Sequence, residues 1–540
     1  MIFGQSHQHQ YDLLFPIFER MNSNLFKSIL SAVLLTFAWP INGFSILIFV
    51  AFVPLLQVLY NQPTKKSKQT TAFFFLSFFL WNLGISWWIW NASPFGMWFA
   101  VIVNSWLMTI VFMATRMVIR RLSHRAGLLF LTTFWMSFEL LHLHWDFSWP
   151  WFQLGNVFSE TTSWIQWYEY TGVFGGSLWV WIVNILCFQV VRGTSFEFRK
   201  FAIAIVAIAI PICISLLVYS NHKPQNNPTI EIAIAQPNID PYEEKFVASD
   251  IKQSKSLFEL IIPELTPSTD LILAPETYFT EGFGAYMPNF LSSPLYQTIQ
   301  DELDQIGTVQ LMSGIQFYQV YTESTKTTSS NQFGNQWVDF YNSAFLSGTN
   351  PLQVYHKSKL VVGVETLPYK EVVEPLLGNI MLDLGGTVRS RATGSERSVF
   401  QLHSETKVAP IICYESVYGS FISGFVRNGA EFLAVMTNDA WWGKTPGHRQ
   451  LLSYTKLRAI ETRLPIVRSA NSGISAVIDT YGEVTQQIPY LERGAMSSTI
   501  TPQKRITFYV LYGDYIARLS LFISSLLLLL AIARKKLIFR

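Results

Sequence analysis

The chain has 540 residues, more than a single domain usually holds, so we expect at least two domains. Half of the residues are hydrophobic and only 14% are charged, against about 25% in typical soluble proteins. This composition, with 18 Trp and 43 Phe, indicates a membrane protein, and a net charge of +3 is too small to suggest a nucleic acid partner.

Long apolar runs lie before residue 221 and after residue 505. Eight of them approach the ~20 residues that a helix needs to cross a bilayer. They are residues 24–39, 41–60, 70–91, 95–117, 126–144, 171–191, 201–219 and 513–533. We therefore predict a polytopic α-helical bundle with seven spans in residues 1–220. An eighth span and a basic cytoplasmic tail are predicted in residues 506–540.

Basic residues predict how the bundle is oriented. They occupy alternate connections between the spans and the end of the chain: Lys65, Lys66, Lys68, Arg120, Arg121, Arg125, Arg192, Arg199, Lys200, Arg534, Lys535, Lys536 and Arg540. Because basic loops stay in the cytoplasm, both termini are predicted to be cytoplasmic and residues 221–505 to lie on the external face. The first apolar run is followed at once by another, so it is interpreted as an uncleaved span rather than a signal peptide.

Polar and aromatic residues in the membrane part leave two questions open. The loop 142–170 is rich in tryptophan, which fits either an interfacial aromatic belt or a docking surface for lipid beside an active site. Within the spans, Asn82, Asn104 and Asn184 suggest hydrogen bonds between helices. Glu139 is either a structural tie or a functional group.

In residues 221–505, strand-like and helix-like segments alternate. Strands are predicted at 230–236, 270–274, 310–315, 340–346, 408–412, 432–437, 465–469 and 473–478, and helices at 249–262 and 450–462. This alternation predicts an α/β domain made either of two packed sheets or of one large mixed sheet covered by helices.

Three reactive groups follow strand-like segments of this domain. Glu276 lies in Ala-Pro-Glu-Thr, and Lys357 lies in a segment that also holds Lys359, a rival cation. Cys413, the only cysteine outside the apolar runs, begins Cys-Tyr-Glu. Taken singly, each residue is weak evidence for catalysis. A buried cysteine, for example, often serves only as a small hydrophobic side chain. Together they supply a base, a cation and a thiol, the set that acyl transfer through a thioester requires.

These motifs resemble the Glu-Lys-Cys triad of the nitrilase superfamily, and the whole chain resembles the apolipoprotein N-acyltransferase family. The matching motifs are Gln-Pro-Asn-Ile from Gln236, Pro-Glu-Thr, Tyr-x-Lys-x-x-Leu-Val from Tyr355, Cys-Tyr-Glu, Thr-Asn-Asp-Ala-Trp-Trp-Gly from Thr437, and Trp-Pro-Trp from Trp149. The resemblance implies that residues 221–505 form a periplasmic nitrilase-like domain, an αββα sandwich, inserted before the last span.

The resemblance also implies roles for individual residues. Glu276 corresponds to the general base, Lys357 to the lysine that stabilises the transition state, and Cys413 to the acylated nucleophile. Tyr355 and Leu360 fix the register of the lysine motif and favour Lys357 over Lys359. Supporting residues are Glu365, Tyr414 and Glu415, and residues expected to contact substrate are Phe246, Asn438, Asp439, Trp441 and Trp442.

The function implied is phospholipid:apolipoprotein N-acyl transfer at the periplasmic face of a bacterial inner membrane. An acyl chain would pass from a membrane phospholipid, through a thioester on Cys413, to the α-amine of the N-terminal diacylglyceryl-cysteine of a lipoprotein. No metal or other cofactor is expected. The alternatives are a membrane-anchored hydrolase of the nitrilase or amidase type, and a non-catalytic membrane scaffold.

Overall fold

The structure is a computed structural model that describes residues 23–40, 43–61, 67–193, 197–240, 248–369 and 391–534. Within these residues, six helices are long and apolar enough to cross a membrane. They are Lys68–Asn91, Pro94–Arg121, His124–His144, Val173–Arg192, Phe198–Asn221 and Tyr515–Ala533. The first two predicted spans are also apolar helices, Ser23–Ala38 and Ser45–Tyr60, but they are shorter. The count of eight spans therefore stays a prediction.

The asparagines of the spans join neighbouring helices, as the sequence predicts. Asn104 donates from Nδ2 to Oδ1 of Asn82 at 2.6 Å. Asn184 accepts from the backbone N–H of Phe52 at 2.9 Å and donates to the carbonyl of Ile48 at 2.7 Å. Each amide thus satisfies polar groups that lipid could not satisfy.

Glu139 is a structural tie within the bundle. Its carboxylate accepts hydrogen bonds from Trp135 Nε1 at 3.0 Å, the backbone N–H of Leu154 at 2.9 Å and Ser177 Oγ at 2.7 Å. These donors belong to two spans and to the loop between them. The carboxylate therefore fixes the start of that loop against the bundle.

The described residues between Ile230 and Ile500 form two separate sheets. Their strands are β1 (Ile230–Gln236), β2 (Thr269–Leu273), β3 (Ala285–Tyr286), β4 (Gln310–Tyr321), β5 (Asn331–Phe333), β6 (Gln336–Leu346), β7 (Gln353–His356), β8 (Phe400–Gln401), β9 (Lys407–Ile412), β10 (Phe432–Thr437), β11 (Ile466–Ala470), β12 (Ser475–Ile478), β13 (Val484–Ile488) and β14 (Gly494–Ile500). One sheet has the order β14-β1-β2-β4-β6-β5, with β3 beside β4 and β7 beside β6. The other has the order β13-β12-β11-β10-β9-β8. The two-sheet alternative of the sequence analysis is the one observed.

Side chains alternate between the two faces of β1 because successive residues of a strand point in opposite directions. Ile232 and Ile234 lie in the core cluster that also holds the buried residues of β9 and β10. Ala233 and Ala235 point the other way, into a second cluster with the helices Asp250–Ile261 and Pro294–Ile306. The first sheet is therefore packed against the second sheet on one face and against helices on the other.

The helix Gly447–Thr462 lies between the second sheet and the membrane domain, and every one of its residues except Arg449 is buried. Tyr454 donates to the carbonyl of Trp151 at 2.9 Å. Just after the helix, Arg463 forms a buried 2.6 Å ion pair with Glu169 of the membrane part. The helix lacks an apolar stripe with a polar opposite face because neither side of it meets water.

Candidate active site

Glu276, Lys357 and Cys413 come from three strand ends. Glu276 follows β2 after two residues, Lys357 directly follows β7, and Cys413 directly follows β9. β2 and β7 belong to one sheet and β9 to the other. The site therefore lies where the ends of the two packed sheets meet, and the structure brings the three predicted catalytic residues together there.

Lys357 is the centre of a buried charge cluster. Its Nζ lies 2.9 Å from Glu276 Oε1 and 2.9 Å from Glu365 Oε2. Asn342 donates from Nδ2 to both carboxylates, at 2.8 and 2.9 Å. Burial acts to lower the pKa of Lys357, but the two carboxylates outweigh burial and hold it above its usual value. The side chain is thus a fixed ammonium.

Glu365 shows the reverse balance. Burial acts to raise its pKa, but the Lys357 ammonium, the Arg391 guanidinium and hydrogen bonds from Val361 and Asn342 together outweigh burial and lower it. Its Oε2 also accepts from the backbone N–H of Val361 at 2.9 Å. Glu365 is therefore an ionised partner that holds Lys357 in place.

The Glu276 loop is shaped by close backbone packing. Glu276 Oε2 accepts from the backbone N–H of Asn438 at 3.0 Å. Beneath the loop lies Gly314, whose N–H donates to the carbonyl of Pro275 at 3.1 Å. A Cβ on Gly314 would lie 2.4 Å from the backbone nitrogen of Thr277. Only glycine leaves the room that this placement of Glu276 requires.

Cys413 occupies a strained position at the start of the 3-10 turn Cys413–Val417. Its φ is +51°, in the left-handed region that non-glycine residues seldom adopt. Strain of this kind persists where the surroundings fix it, often at functional sites. Burial, and then the Glu276 carboxylate, raise the pKa of the Cys413 thiol, while Lys357 acts to lower it. The group is therefore held as a thiol, which would have to lose its proton to act as a nucleophile.

Glu415 joins the turn Cys413–Val417 to residues 357–365, here called the lysine loop. It accepts from Tyr355 Oη at 2.6 Å, from the backbone N–H of Ser358 at 2.7 Å and from that of Ile412 at 2.9 Å. Burial raises the pKa of Glu415 to about 7. Because its partners flank Lys357 and Cys413, this carboxylate sets the separation of the ammonium and the thiol.

The membrane domain packs against the residue that follows Cys413. The ring of Tyr414 lies 6.0 Å from that of Trp151, centroid to centroid, and its hydroxyl donates to the carbonyl of Ser148 at 3.3 Å. Trp442 packs on Trp88, with ring centroids 4.9 Å apart. The aromatic loop 142–170 thus packs against the candidate active site, and both the interfacial belt and the lipid-docking surface stay predictions for it.

The residues expected to contact substrate have different surroundings. Asp439 is fully buried and its carboxylate pairs with Arg468 at 2.6 Å. Asn438 is buried, whereas Trp441 and Trp442 are partly exposed. Phe246 lies outside the described residues. The contacts of these residues with substrate stay predictions, and the enclosure of Asp439 favours a role in shaping the loop.

An apolar cavity of about 120 Å³ lies between the membrane domain and the lysine loop. It is lined by Phe95, Phe99 and Val103 of the helix Pro94–Arg121, by Trp145 and Trp149 of the aromatic loop, and by Val362, Gly363 and Leu367. Val362 lies between Lys357 and Glu365 in the chain. The cavity therefore extends from a membrane-spanning helix to the loop that carries Lys357.

Two residues of the site were missed by sequence reasoning. Asn342 is the only residue seen to bridge Glu276 and Glu365 besides Lys357 in the described part of the chain. Its signal was a polar side chain inside an otherwise buried strand. Gly314 was also detectable, because a glycine within a strand often marks a close backbone approach.

Comparison with known proteins agrees with this architecture. The family model described as "Apolipoprotein N-acyltransferase N-terminal domain" matches residues 31–186, and the one described as "Carbon-nitrogen hydrolase" matches residues 202–507. The chain therefore belongs to the carbon-nitrogen hydrolase family and, within the nitrilase superfamily, to its apolipoprotein N-acyltransferases.

Individual relatives span nearly the whole chain. The apolipoprotein N-acyltransferase of Chlorobaculum tepidum is 28% identical over 96% of this chain and 98% of its own. That of Geobacter metallireducens is 24% identical, over 91% and 92%. Among solved structures, Saccharomyces cerevisiae Nit3, described as a member of branch 10 of the nitrilase superfamily, matches 51% of this chain and 90% of its own, with 14% identity and a TM-score of 0.34.

Proposed function

We propose that the chain transfers an acyl chain from a membrane phospholipid, through a thioester on Cys413, to the α-amine of a lipoprotein N-terminal diacylglyceryl-cysteine. The names of the relatives support N-acylation of apolipoproteins. The observation that carries the proposal is the apolar cavity, because it runs from a membrane-spanning helix to the loop between Lys357 and Glu365. A soluble substrate would not need such a path, whereas an acyl chain would.

In the first half-reaction, the sulfur of Cys413 attacks the carbonyl carbon of a phospholipid ester and its proton passes to Glu276. The negative charge that develops on the carbonyl oxygen is stabilised by the Lys357 ammonium, which is already in place and needs no reorganisation. The C–O bond then breaks. Glu276 returns the proton to the departing oxygen. A lysophospholipid is released, and the thioester remains on Cys413.

In the second half-reaction, the neutral α-amine of the lipoprotein attacks the thioester carbonyl. Glu276 accepts a proton from the attacking nitrogen, and Lys357 again faces the oxyanion. The C–S bond breaks as the amide forms, and the proton returns to the sulfur of Cys413. The cycle consumes one ester and one amine and requires no other reactant.

Three further residues act by positioning. Glu365 holds the Lys357 ammonium with its carboxylate. Asn342 orients the carboxylates of Glu276 and Glu365. Glu415 fixes the turn Cys413–Val417 against the lysine loop. None of these needs to touch substrate, so their loss should alter geometry rather than remove a reacting group.

The same proposal includes the placement of the protein. The basic loops support cytoplasmic termini and a catalytic domain on the periplasmic face of the inner membrane. The two short apolar helices, Ser23–Ala38 and Ser45–Tyr60, complete the eight spans if they too enter the bilayer. The two packed sheets, with helices against the outer face of the first, support the αββα order.

The direct test is the mass of the intact protein after incubation with phospholipid. We expect one acyl adduct on the wild-type chain and on Cys213→Ala, whose thiol is exposed on the helix Phe198–Asn221. Cys413→Ala should carry none, and Cys413→Ser should carry almost none. A full adduct on Cys413→Ala would contradict the mechanism. When a diacylglyceryl lipoprotein is added as acceptor, release of free fatty acid with no acylated acceptor would instead favour the membrane-anchored hydrolase.

A further inference from the structure

Lys359 lies two residues after Lys357 but faces a different cavity. Its Nζ lies 5.3 Å from the centroid of the Tyr418 ring. The cavity has a volume of about 370 Å³, and its wall includes Lys359, Arg397, Arg427, Tyr418, His144 and Asp514. Three basic side chains therefore meet in a cavity that the proposed catalytic steps do not use.

These basic side chains are held in place by uncharged groups. The guanidinium of Arg397 lies 4.6 Å from the centroid of the Phe421 ring, and Arg427 donates to the carbonyl of Val510 at 2.6 Å. Among the described residues, no carboxylate forms an ion pair with Lys359, Arg397 or Arg427. In the described part of the chain, no ion pair therefore engages these three side chains, and the acidic residue in the cavity wall is Asp514.

The carboxylates near the cavity are held by hydrogen bonds from other groups. Asp514, the acidic residue of the wall, is buried and accepts a 2.7 Å hydrogen bond from the hydroxyl of Tyr509. Burial, and then the neighbouring guanidinium of Arg397, lower the pKa of Lys359, while the Glu415 carboxylate acts to raise it. A bound anion would relieve both effects, because it supplies the missing opposite charge.

The cavity lies where two membrane-spanning helices end. His144 is the last residue of His124–His144, and Asp514 immediately precedes Tyr515–Ala533. These helices contact each other within the bundle, where Ser137 Oγ lies 3.0 Å from Ser524 Oγ. Their ends mark the boundary between the apolar layer and water, which is the level of lipid headgroups.

A short helix with exposed apolar side chains also indicates that the cavity lies at the level of the lipid headgroups. The helix Phe508–Tyr512 carries Val510, the partner of Arg427, and exposes Leu511 and Tyr512 by more than half. An aromatic and an aliphatic side chain exposed side by side suit the interface of a membrane. The basic cavity and this apolar helix would then face the same bilayer surface.

We propose that Lys359, Arg397 and Arg427 bind the phosphate of a membrane phospholipid. Basic side chains at this depth attract anionic headgroups, and arginine binds phosphate oxygens through two parallel hydrogen bonds. Tyr418 directly follows the turn Cys413–Val417, so a phosphate held here keeps the acyl esters of the same lipid near the thiol. The inference rests on the proposed function, because it takes the acyl donor as occupant.

The test measures binding rather than turnover, with the full chain in detergent and Cys413→Ala as background. The probe is a di-ether phosphatidylglycerol, whose alkyl chains cannot be transferred. Adding Lys359→Gln and Arg397→Gln together should weaken its binding about tenfold, as the loss of a charge-assisted hydrogen bond predicts. Raising the salt concentration should weaken binding to the unsubstituted site and have less effect on the double variant.

Matched controls separate charge from folding. Arg397→Lys keeps the charge but loses the planar fork, so its affinity should lie between that of the parent and that of the double variant. Lys255→Gln removes an exposed lysine of the helix Asp250–Ile261 and should change nothing. A dialkylglycerol, which lacks the phosphate, should bind the parent and the double variant equally.

Three results would overturn the proposal. One is unchanged affinity of the double variant for the di-ether phospholipid. Another is an equal loss of affinity for the dialkylglycerol. The third is tighter binding of inorganic phosphate alone than of the lipid, which would assign the cavity to free phosphate. Because binding is measured without the thiol, its failure is distinct from failure of the thioester mechanism, which the intact-mass experiment detects.

Discussion

Lys357 and Glu276 form a 2.9 Å ion pair in which the side chains are only 1% and 8% exposed. Since Glu365 shares the same ammonium, removing the lysine leaves two buried carboxylates facing each other. A buried pair that loses one partner leaves an uncompensated charge, which is far more costly than losing a surface pair. The proposed oxyanion cation and the stability of the site are therefore properties of one side chain.

The first prediction concerns this ammonium. Lys357→Met should abolish the acyl adduct and lower the free energy of unfolding by about 3–5 kcal/mol. The two effects are measured by intact mass after incubation with phospholipid and by thermal unfolding in detergent. Lys407→Gln, which removes an exposed lysine at the start of β9, should leave both unchanged. Wild-type adduct formation by Lys357→Met would exclude Lys357 as the oxyanion group.

The second prediction concerns the glycine beneath Glu276. In Gly314→Ala the new methyl would meet backbone atoms of Pro275, Glu276 and Thr277 at 2.4–2.7 Å, and backbone cannot move aside as a flexible side chain can. We expect the rate of acyl-adduct formation to fall about 100-fold, because misplacement by about 1 Å has that effect.

Gly494→Ala is the matched control, since its Cβ would meet nothing closer than Ile488 at 3.9 Å. It should form the adduct at the wild-type rate. Equal rates for Gly314→Ala and Gly494→Ala would show that the backbone under Glu276 does not set the position of the base.

The third prediction concerns pH. Burial raises the pKa of Glu415 from its usual 4.5 to about 7, so between these values the folded chain binds a proton that the unfolded chain does not. Stability must therefore fall as pH rises through that window, by about 3 kcal/mol from this group if the whole shift counts. The unfolding temperature of the wild type should drop between about pH 5 and about pH 8.

Glu415→Gln removes the titrating group and should show a smaller drop over the same range. The exposed Glu259→Gln should behave like the wild type, and Glu461, whose pKa burial also raises to about 7, remains in all three proteins. An identical pH dependence in Glu415→Gln would mean that Glu415 keeps its ordinary pKa in the folded state.

The fourth prediction concerns the loop that carries Trp441 and Trp442. Asp439→Asn leaves the buried Arg468 without its counter-charge and should lower the free energy of unfolding by about 3–5 kcal/mol. Adding Arg468→Met should restore part of that loss, because no unpaired charge then remains. Thermal unfolding of the four proteins forms a double-mutant cycle, and a coupling energy of zero would refute the pairing.

The sequence predicted much of this fold because many of its strands are apolar throughout. The predicted segment 432–437 coincides with β10, and 408–412 differs from β9 by one residue. β13 and β14 were not predicted. β14 reads Gly-Ala-Met-Ser-Ser-Thr-Ile and gains its conformation from antiparallel pairing with β1, which lies far away in the chain. Pairing of that kind leaves no local pattern to detect.

The candidate site divides in the same way. Glu276, Lys357 and Cys413 follow strand-like segments as a base, a cation and a thiol, and the short motifs around them carry the resemblance. The structure gathers them at the ends of two packed sheets. It also separates Lys357 from its rival Lys359, which lies against Tyr418. Asn342 escaped notice because its importance comes from two carboxylates brought to it by folding.

The contact between Tyr414 and Trp151 has a consequence for how this enzyme could be divided or recombined. A membrane anchor can be replaced by another anchor without altering the enzyme that it carries. Here the bundle packs against the turn that carries Cys413. Residues 221–505 expressed alone would therefore keep Glu276, Lys357 and Cys413 but lose the surface that packs beside them. Chimeras that exchange the helices should therefore carry the aromatic loop 142–170 with the catalytic domain it fits.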